Sequence, residues 1–123
     1  MIKTFIEIRV MTYLMMLKIT PNLKGYTYFK ECIIRLLEDG KLRHKMSKGL
    51  FIEMANRFND KPHLFDRALR HAVDVSYKRN GIRCLERKIK LEFSNDKPSA
   101  KEILCYLAEK IKIDVYQKYN YVI

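Results

Sequence analysis

The sequence has few of the residues from which enzyme active sites are built. It contains only four glycines among 123 residues, and none of them belongs to a Gly-rich loop that could cradle a phosphate. No Ser/His/Asp set and no cluster of residues at metal-ligand spacing is present. The sequence therefore predicts a protein that is not an enzyme and that binds no metal or other cofactor.

Cysteines are also few, and long hydrophobic runs are absent. Cys32, Cys84 and Cys105 are odd in number and far apart, which predicts reduced, packed thiols in a cytosolic protein. Glu7 and Arg9 interrupt any signal-peptide core, and no apolar run approaches the length of a membrane span. We therefore expect a soluble protein of the cytoplasm, associated with the nucleoid if it binds DNA, with no membrane partner.

Acidic residues are scarce relative to basic ones. The chain has 25 Lys and Arg against 14 Asp and Glu, and its formal net charge is +11. The excess is concentrated in residues 61–90, which hold nine Lys and Arg and three acids, and in residues 41–48, which hold four and none. Such a field is typical of a protein that binds a polyanion. A membrane surface would attract the same charge, but these residues do not lie along one lone amphipathic helix.

Residues 51–77 have the pattern of two helices joined by a tight turn. Leu50, Met54 and Phe58 recur at helical spacing before the turn. Asn59 suits a left-handed backbone at the joint. Asp60 is a good N-cap for the next helix, and Pro62 suits that helix's first turn.

The second helix of this pair is amphipathic. Its apolar residues follow the i, i+3, i+4, i+7 repeat of one buried face: Phe65, Ala68, Leu69, Ala72, Val73 and Ser76. Its other face carries His63, Asp66, Arg67, Arg70, His71 and Lys78. This is the pattern of a helix-turn-helix, whose second helix enters the DNA major groove. A helical hairpin with a solvated polar face fits the pattern equally well, and the charge distribution favours DNA.

The rest of the chain predicts further helices and two ambiguous ends. Residues 2–10 alternate weakly, which predicts a short strand, whereas residues 11–18 and 25–38 look helical. Residues 82–92 fit a short helix or a strand. A capping box at Ser99–Glu102 opens a final helix to about Lys112. The Tyr-rich tail that follows is β-prone. It could pair as a strand with residues 2–10 or with a second chain, or it could be a partly ordered terminus. We expect a single domain over residues 1–123.

Three stretches carry a resemblance to a known family. They are LKGYTYFKECI at 23–33, RALRHAVDV at 67–75 and KPSAKEILCYLAEKIKID at 97–114. Over residues 12–114 the chain resembles the DNA-binding effector domain of the master sporulation response regulator of endospore-forming bacteria, in which the second stretch has the form RAIRHAIEV. The termini, 1–11 and 115–123, diverge.

The resemblance implies a fold and a partner. The fold is all-α, a helical bundle of about six helices containing a helix-turn-helix with its recognition helix at about 62–78. The partner is double-stranded DNA with TGTCGAA-type boxes. Two copies of the domain bind paired boxes in tandem, which implies a homodimer on DNA.

The base-reading residues that the resemblance implies are Asp66 and Arg67, at the start of the recognition helix. Their chemistry suits this role, because arginine can bind guanine O6 and N7 with two parallel hydrogen bonds and a carboxylate can accept from cytosine N4. His63, in the first turn of the same helix, is a third candidate. For phosphate binding the resemblance implies Arg70 and His71, and the basic residues at the two ends of the helix, Lys61 and Lys78, are further candidates.

The chain departs from the family in three places. Leu64 stands where the family usually has arginine, and Asp66 is one methylene shorter than the usual glutamate. Residues 80–93 fit only with a deletion of about two residues. In the family that surface contacts the sigma subunit of RNA polymerase, so the resemblance implies this subunit as a partner. The departure of residues 80–93 from the family pattern therefore lies on the surface that would contact the sigma subunit.

Nothing in the chain resembles the phosphorylatable receiver that usually precedes this domain. We therefore expect a stand-alone, sequence-specific DNA-binding regulator of transcription. One alternative is an interaction protein that pairs with or antagonises a full-length sporulation regulator without activating transcription. Another is a non-specific nucleic-acid binder that depends on charge alone.

Overall fold

Six α-helices make up the fold, and no strand is present. The computed structural model describes residues 1–123, with helices α1 (Ile2–Met16), α2 (Lys24–Glu38), α3 (Phe51–Arg57), α4 (Pro62–Lys78), α5 (Gly81–Ile89) and α6 (Ala100–Tyr119). A 3₁₀ turn (Gly40–His44) and a π-helical turn (Met46–Leu50) connect α2 to α3. The predicted all-α bundle of about six helices is confirmed. No helix is both long enough and apolar enough to cross a bilayer.

The second helix lies at the centre of the bundle. One cluster of 30 buried hydrophobic residues draws on all six helices, and α2 packs against α1, α3, α4 and α6. Its residues Tyr26, Phe29, Ile33 and Leu36 are buried, and Leu37 is half-buried. The predicted inward face of this helix therefore forms the middle of the core.

Small residues let α2 and α4 cross at very short range. A Cβ atom added to Gly25 would lie 2.6 Å from the Ala68 carbonyl oxygen and 2.7 Å from the Ala72 Cβ. No real Cβ approaches other atoms so closely, so this crossing requires glycine on α2 and small residues on α4. The position of α4 on the core depends on this contact.

An aromatic cluster joins α2 to both helices of the helix-turn-helix. The Tyr28 ring stacks on Phe65 with 4.1 Å between centroids. Phe58 lies 5.2 Å from Tyr28, and Phe51 lies 5.9 Å from Phe65. These rings bury large apolar areas at the base of α4, which fixes its N-terminal half against the core.

The first helix corrects the prediction for the N-terminus. Residues 2–10 are not a strand, because they continue into residues 11–16 as one helix. Val10, Tyr13 and Leu14 are buried, and Phe5 packs against the core. Their helical spacing matches the neighbouring helices, and this packing outweighs the β-propensity of the isoleucines and Val10.

The last helix corrects the prediction for the C-terminus. It does not end at about Lys112 but runs to Tyr119, and residues 113–119 are helical rather than β-structured. Val115 is fully buried, and Tyr119 contacts Phe5 edge to face at 5.5 Å. The tail packs against the N-terminal segment, which was one of the alternatives, but it does so as a helix and not as a strand.

A buried carboxylate holds α1 and α6 together. Asp114 accepts hydrogen bonds from the Tyr13 hydroxyl and, at 2.7 Å, from Lys110 Nζ. Arg9 Nε lies 4.0 Å away. Burial and the bond to Asp114 raise the pKa of Tyr13 above its ordinary value. The charge of Asp114 is thus compensated within the pair of helices.

The segment after α4 is a helix, which decides between the two predictions for residues 82–92. Asn80 and Lys90, on either side of α5, have left-handed backbones with φ of 61° and 57°. A Cβ added to Gly81 would lie 1.8 Å from the Leu17 carbonyl oxygen, so α5 begins against the end of α1.

The three cysteines are free thiols, and burial raises the pKa of Cys32.

Candidate nucleic-acid interface

The turn between α3 and α4 is short and well ordered by hydrogen bonds. Asn59 has a left-handed backbone with φ of 54°, as predicted. The Asp60 N–H donates to the Ala55 carbonyl at 2.8 Å. This is the arrangement of a Schellman helix end, and it directs the chain sharply into α4. Pro62 occupies the first turn of α4, also as predicted.

Asp60 is not the N-cap that the sequence predicted. Lys61 is the N-cap of α4, and no side chain caps the helix. The Asp60 carboxylate instead accepts a hydrogen bond from the Tyr28 hydroxyl at 2.6 Å and pairs with Lys24 Nζ at 3.2 Å. These two α2 groups draw the carboxylate toward α2 and away from the N–H groups of α4. The turn is thereby attached to the central helix.

This attachment shifts the pKa of both partners. The hydrogen bond from Tyr28, with Lys24 and the Lys61 N–H, holds the pKa of Asp60 below its usual value. Burial and the same hydrogen bond raise the pKa of Tyr28 to about 12. At neutral pH the bond therefore joins an ionised carboxylate to a neutral hydroxyl, which is the stronger charge-assisted kind.

The two faces of α4 are arranged as the periodicity predicted. Its inward side chains are buried, with Ala68 half-buried among them: Phe65, Leu69, Ala72, Val73 and Ser76. Its outward side chains are exposed, except for the half-buried Asp66: His63, Arg67, Arg70, His71 and Lys78. The buried face fixes the helix, so the outward face is a rigid surface for a partner.

The three base-reading candidates differ in their surroundings. Asp66 forms an ion pair with Arg70, whose Nε lies 3.1 Å from Asp66 Oδ2. His63 and Arg67 are exposed and form no ion pair. Arg67 lies about 200° around the helix from the buried Leu69, so it points away from the core. It is the base-reading candidate with a free guanidinium.

The phosphate candidates Lys61, Arg70, His71 and Lys78 are all exposed. Arg70 uses its Nε for the pair with Asp66, which leaves its two Nη groups free. Lys61 and Lys78 lie at opposite ends of α4 and form no ion pair. Lys61, Arg70 and Lys78 therefore spread positive charge along the length of the helix, and His71 adds an exposed imidazole.

Sequence reasoning missed a lysine of another segment that packs against the outward face of α4. Lys97, in the loop before α6, pairs with Asp74 and lies 5.7 Å from the ring centroid of Tyr77. The bond from Lys97 holds the pKa of Asp74 below its usual value. Lys97 thereby neutralises the carboxylate on this half of the helix. No local signal could identify it, because Lys97 and Asp74 are brought together only by the fold.

Two arginines within the basic segment have structural roles. Arg79 donates to the Lys18 carbonyl at 3.1 Å, and Lys18 Nζ donates to the Arg79 carbonyl at 3.0 Å. Arg83 lies 3.8 Å from Asp96. These contacts tie the end of α4 to α1 and α5 to the loop after it. They direct these two guanidinium groups toward other parts of the chain.

The predicted sigma-contact surface, residues 80–93, forms one wall of a polar cleft. The cleft has a volume of about 710 Å³ and lies between α5 and the loop that follows it. Within its lining, Glu86 accepts a hydrogen bond from the Phe93 N–H at 2.9 Å, which joins α5 to the loop. Nowhere in the chain do three His, Cys, Asp or Glu side chains come together as a metal site.

Residues 10–111 match the family model described as "Sporulation initiation factor Spo0A C terminal". The match includes α2, α3, α4 and α5 and the first part of α6. The family consists of DNA-binding effector domains of transcription regulators and is not a family of enzymes. The resemblance that the sequence suggested is confirmed.

Proposed function

Because this chain belongs to the family of sporulation initiation factor C-terminal domains, we propose that it is a sequence-specific regulator that binds double-stranded DNA through α4. The helix lies in the major groove of a TGTCGAA-type box. One observation carries the proposal: the rigid outward face of α4 presents Arg67, exposed and without a carboxylate partner, beside an Asp66–Arg70 pair.

Arg67 reads guanine in this proposal. Its guanidinium donates two parallel hydrogen bonds, and guanine is the base that accepts both through O6 and N7. Since Arg67 forms no ion pair in the free protein, no existing bond is broken when DNA binds. His63, one turn earlier and also exposed, reaches a neighbouring base edge.

The Asp66–Arg70 pair binds DNA as a unit. Asp66 has a second carboxylate oxygen beyond the one that holds Arg70 Nε, and that oxygen accepts from cytosine N4. The free Nη groups of Arg70 bind a backbone phosphate. Phosphate contacts from Lys61, His71 and Lys78 complete the interface. Two copies occupy paired boxes in tandem, and the α5 surface contacts the sigma subunit.

The test compares a box duplex with a scrambled duplex of the same composition. Arg67→Ala should weaken binding to the box by about 1–3 kcal/mol and to the scrambled duplex far less. Arg67→Lys keeps the charge but not the fork geometry, so it should restore affinity without discrimination. Lys3→Ala, an exposed change on α1, is the control. Equal losses of Arg67→Ala on both duplexes would show that Arg67 only contacts phosphate.

A second candidate function is an interaction protein that pairs with or antagonises a full-length sporulation regulator. The observation that favours it is a row of exposed apolar side chains on α1, Ile8, Met11 and Met15, at helical spacing and outside α4. A gel shift with box DNA, run with and without a full-length regulator, separates the two functions. A complex that contains both proteins would support the second, whereas simple replacement of the regulator on the box is also expected from the first.

A further inference from the structure

A second basic surface lies beside the helix-turn-helix. It consists of His44, Lys45, Lys48 and Lys101, called here the Lys101 patch, and all four side chains are exposed. Together with Met46 and Ser47 they line one open depression of about 540 Å³, and no carboxylate lines it. The patch joins the connection before α3 to the first turn of α6, two segments far apart in sequence.

The lysines of the patch differ from their basic neighbours in having no acidic partner. Arg43 pairs with Glu109 at 3.1 Å, and Lys97 pairs with Asp74. Lys45, Lys48 and Lys101 form no ion pair, although they lie around the same depression. Like charges held together repel one another and attract anions from solution. This surface therefore suits a ligand with several negative charges.

The first turn of α6 connects the patch to the flank of α4. Ala100, the residue before Lys101, lines a second depression together with Arg70, Asp74, Lys97 and Glu102. The first turn of α6 thus lies between the Lys101 patch and the Arg70 side of the outward face. Lys45 and Lys48 also immediately precede α3, the first helix of the motif, which in helix-turn-helix proteins crosses the DNA backbone.

We propose that the Lys101 patch binds backbone phosphates of the same duplex whose major groove holds α4. The proposal rests on the proposed function, because α4 brings the duplex to this side of the molecule. Lysine is a compact point charge that binds phosphate without reading sequence. The patch therefore adds affinity and orientation but no discrimination between sequences, which distinguishes it from Arg67.

The test compares two double variants that each remove two charges. Lys48→Gln/Lys101→Gln alters the patch, and Lys3→Gln/Lys118→Gln is the matched control. Lys101 and Lys118 lie 17 residues apart on α6, about 26 Å along the helix axis. On a box duplex extended by one helical turn at each end, the negative slope of log K against log salt should become shallower by about two units in the patch variant. The control should leave the slope unchanged, and equal slopes for the two variants would overturn the proposal.

Two further measurements test the patch without variants and separate its failure from failure of the proposed function. Acetylation of the wild-type protein should show Lys48 and Lys101 protected by the box duplex while Lys3 and Lys118 stay reactive, and the reverse would overturn the proposal without any variant. The ratio of box to scrambled affinity identifies which proposal fails. If the wild type discriminates but the slope and protection results are negative, only the patch proposal fails; if it does not discriminate, the proposed function itself fails.

Discussion

Gly25 is the residue that fixes the distance between α2 and α4. We expect Gly25→Ala to lower the free energy of unfolding by about 1–3 kcal/mol, because the new methyl group would overlap the backbone of α4 at Ala68. Thermal unfolding measures this effect. Gly40→Ala is the matched control, since a Cβ there meets only Lys112 Nζ at 3.9 Å. Equal melting temperatures for the two variants would contradict the tight crossing.

Asp60 gives the helix-turn-helix a dependence on acid pH. Its pKa is lower in the folded chain than the value of about 3.9 expected when unfolded. The stabilisation is therefore complete above about pH 4 and is lost as pH falls through the folded pKa. We expect the melting temperature of Asp60→Asn to fall less steeply below about pH 4 than that of the wild type. Tyr28→Phe, which removes the main donor, should lie between them. Parallel curves for all three proteins would show that the contact does not affect stability.

Asn59 and Asp60 show which features of the turn could be predicted from the sequence and which could not. Asn59 was predicted correctly because the left-handed preference of asparagine is a property of its own backbone and side chain. Asp60 was predicted wrongly because its partner, Tyr28, lies 32 residues away and competes with the local cap. The exposure of Arg67 followed from periodicity, whereas the pairing of Asp74 with Lys97 required the fold.

At the scale of helices, the last five residues of α6, 115–119, hold α1 against the bundle. We expect a chain ending at Asp114 to melt at a lower temperature than the full chain, because it loses the buried Val115 and the contact of Tyr119 with Phe5. Burial of a valine side chain alone contributes about 1.5–3 kcal/mol. A chain ending at Asn120 is the control, since the three residues it lacks are exposed. Identical melting of both truncated chains would mean that these residues add nothing to stability.

The same two helices explain the main errors in predicting the fold. Residues 2–10 contain isoleucines and a valine in weak alternation, and the tail contains tyrosines and valines, so local propensity favours strands in both. The two segments do pack together, but Val10, Tyr13 and Leu14 have helical spacing, and only the partner surface on α6 makes that spacing decisive. The amphipathic repeats of α2 and α4 are long enough to indicate a helix without any knowledge of the partner surface. The bounds of these two helices were therefore predicted nearly to the residue.

For the whole molecule, the charge of +11 divides into structural and available parts. Arg79 and Arg83 bind other parts of the chain. Arg67, Lys78 and the Lys101 patch have no acidic partners and lie on or beside the outward face of α4. The fold thus selects which basic residues can meet DNA, a selection that the net charge does not reveal.

Lys78 tests whether this available charge meets the phosphate backbone. It is exposed at the C-terminal end of α4 and forms no ion pair, so its removal leaves no carboxylate unpaired. We expect Lys78→Gln to make the negative slope of log K against log salt shallower by about one unit on box and scrambled duplexes alike, because a phosphate contact releases counterions from any sequence. The ratio of the two affinities should stay constant, in contrast to its fall in Arg67→Ala. Lys3→Gln removes the same charge from α1 and should leave the slope unchanged. A slope that responds to Lys3 but not to Lys78 would place the duplex on the α1 side of the molecule and remove α4 from the interface.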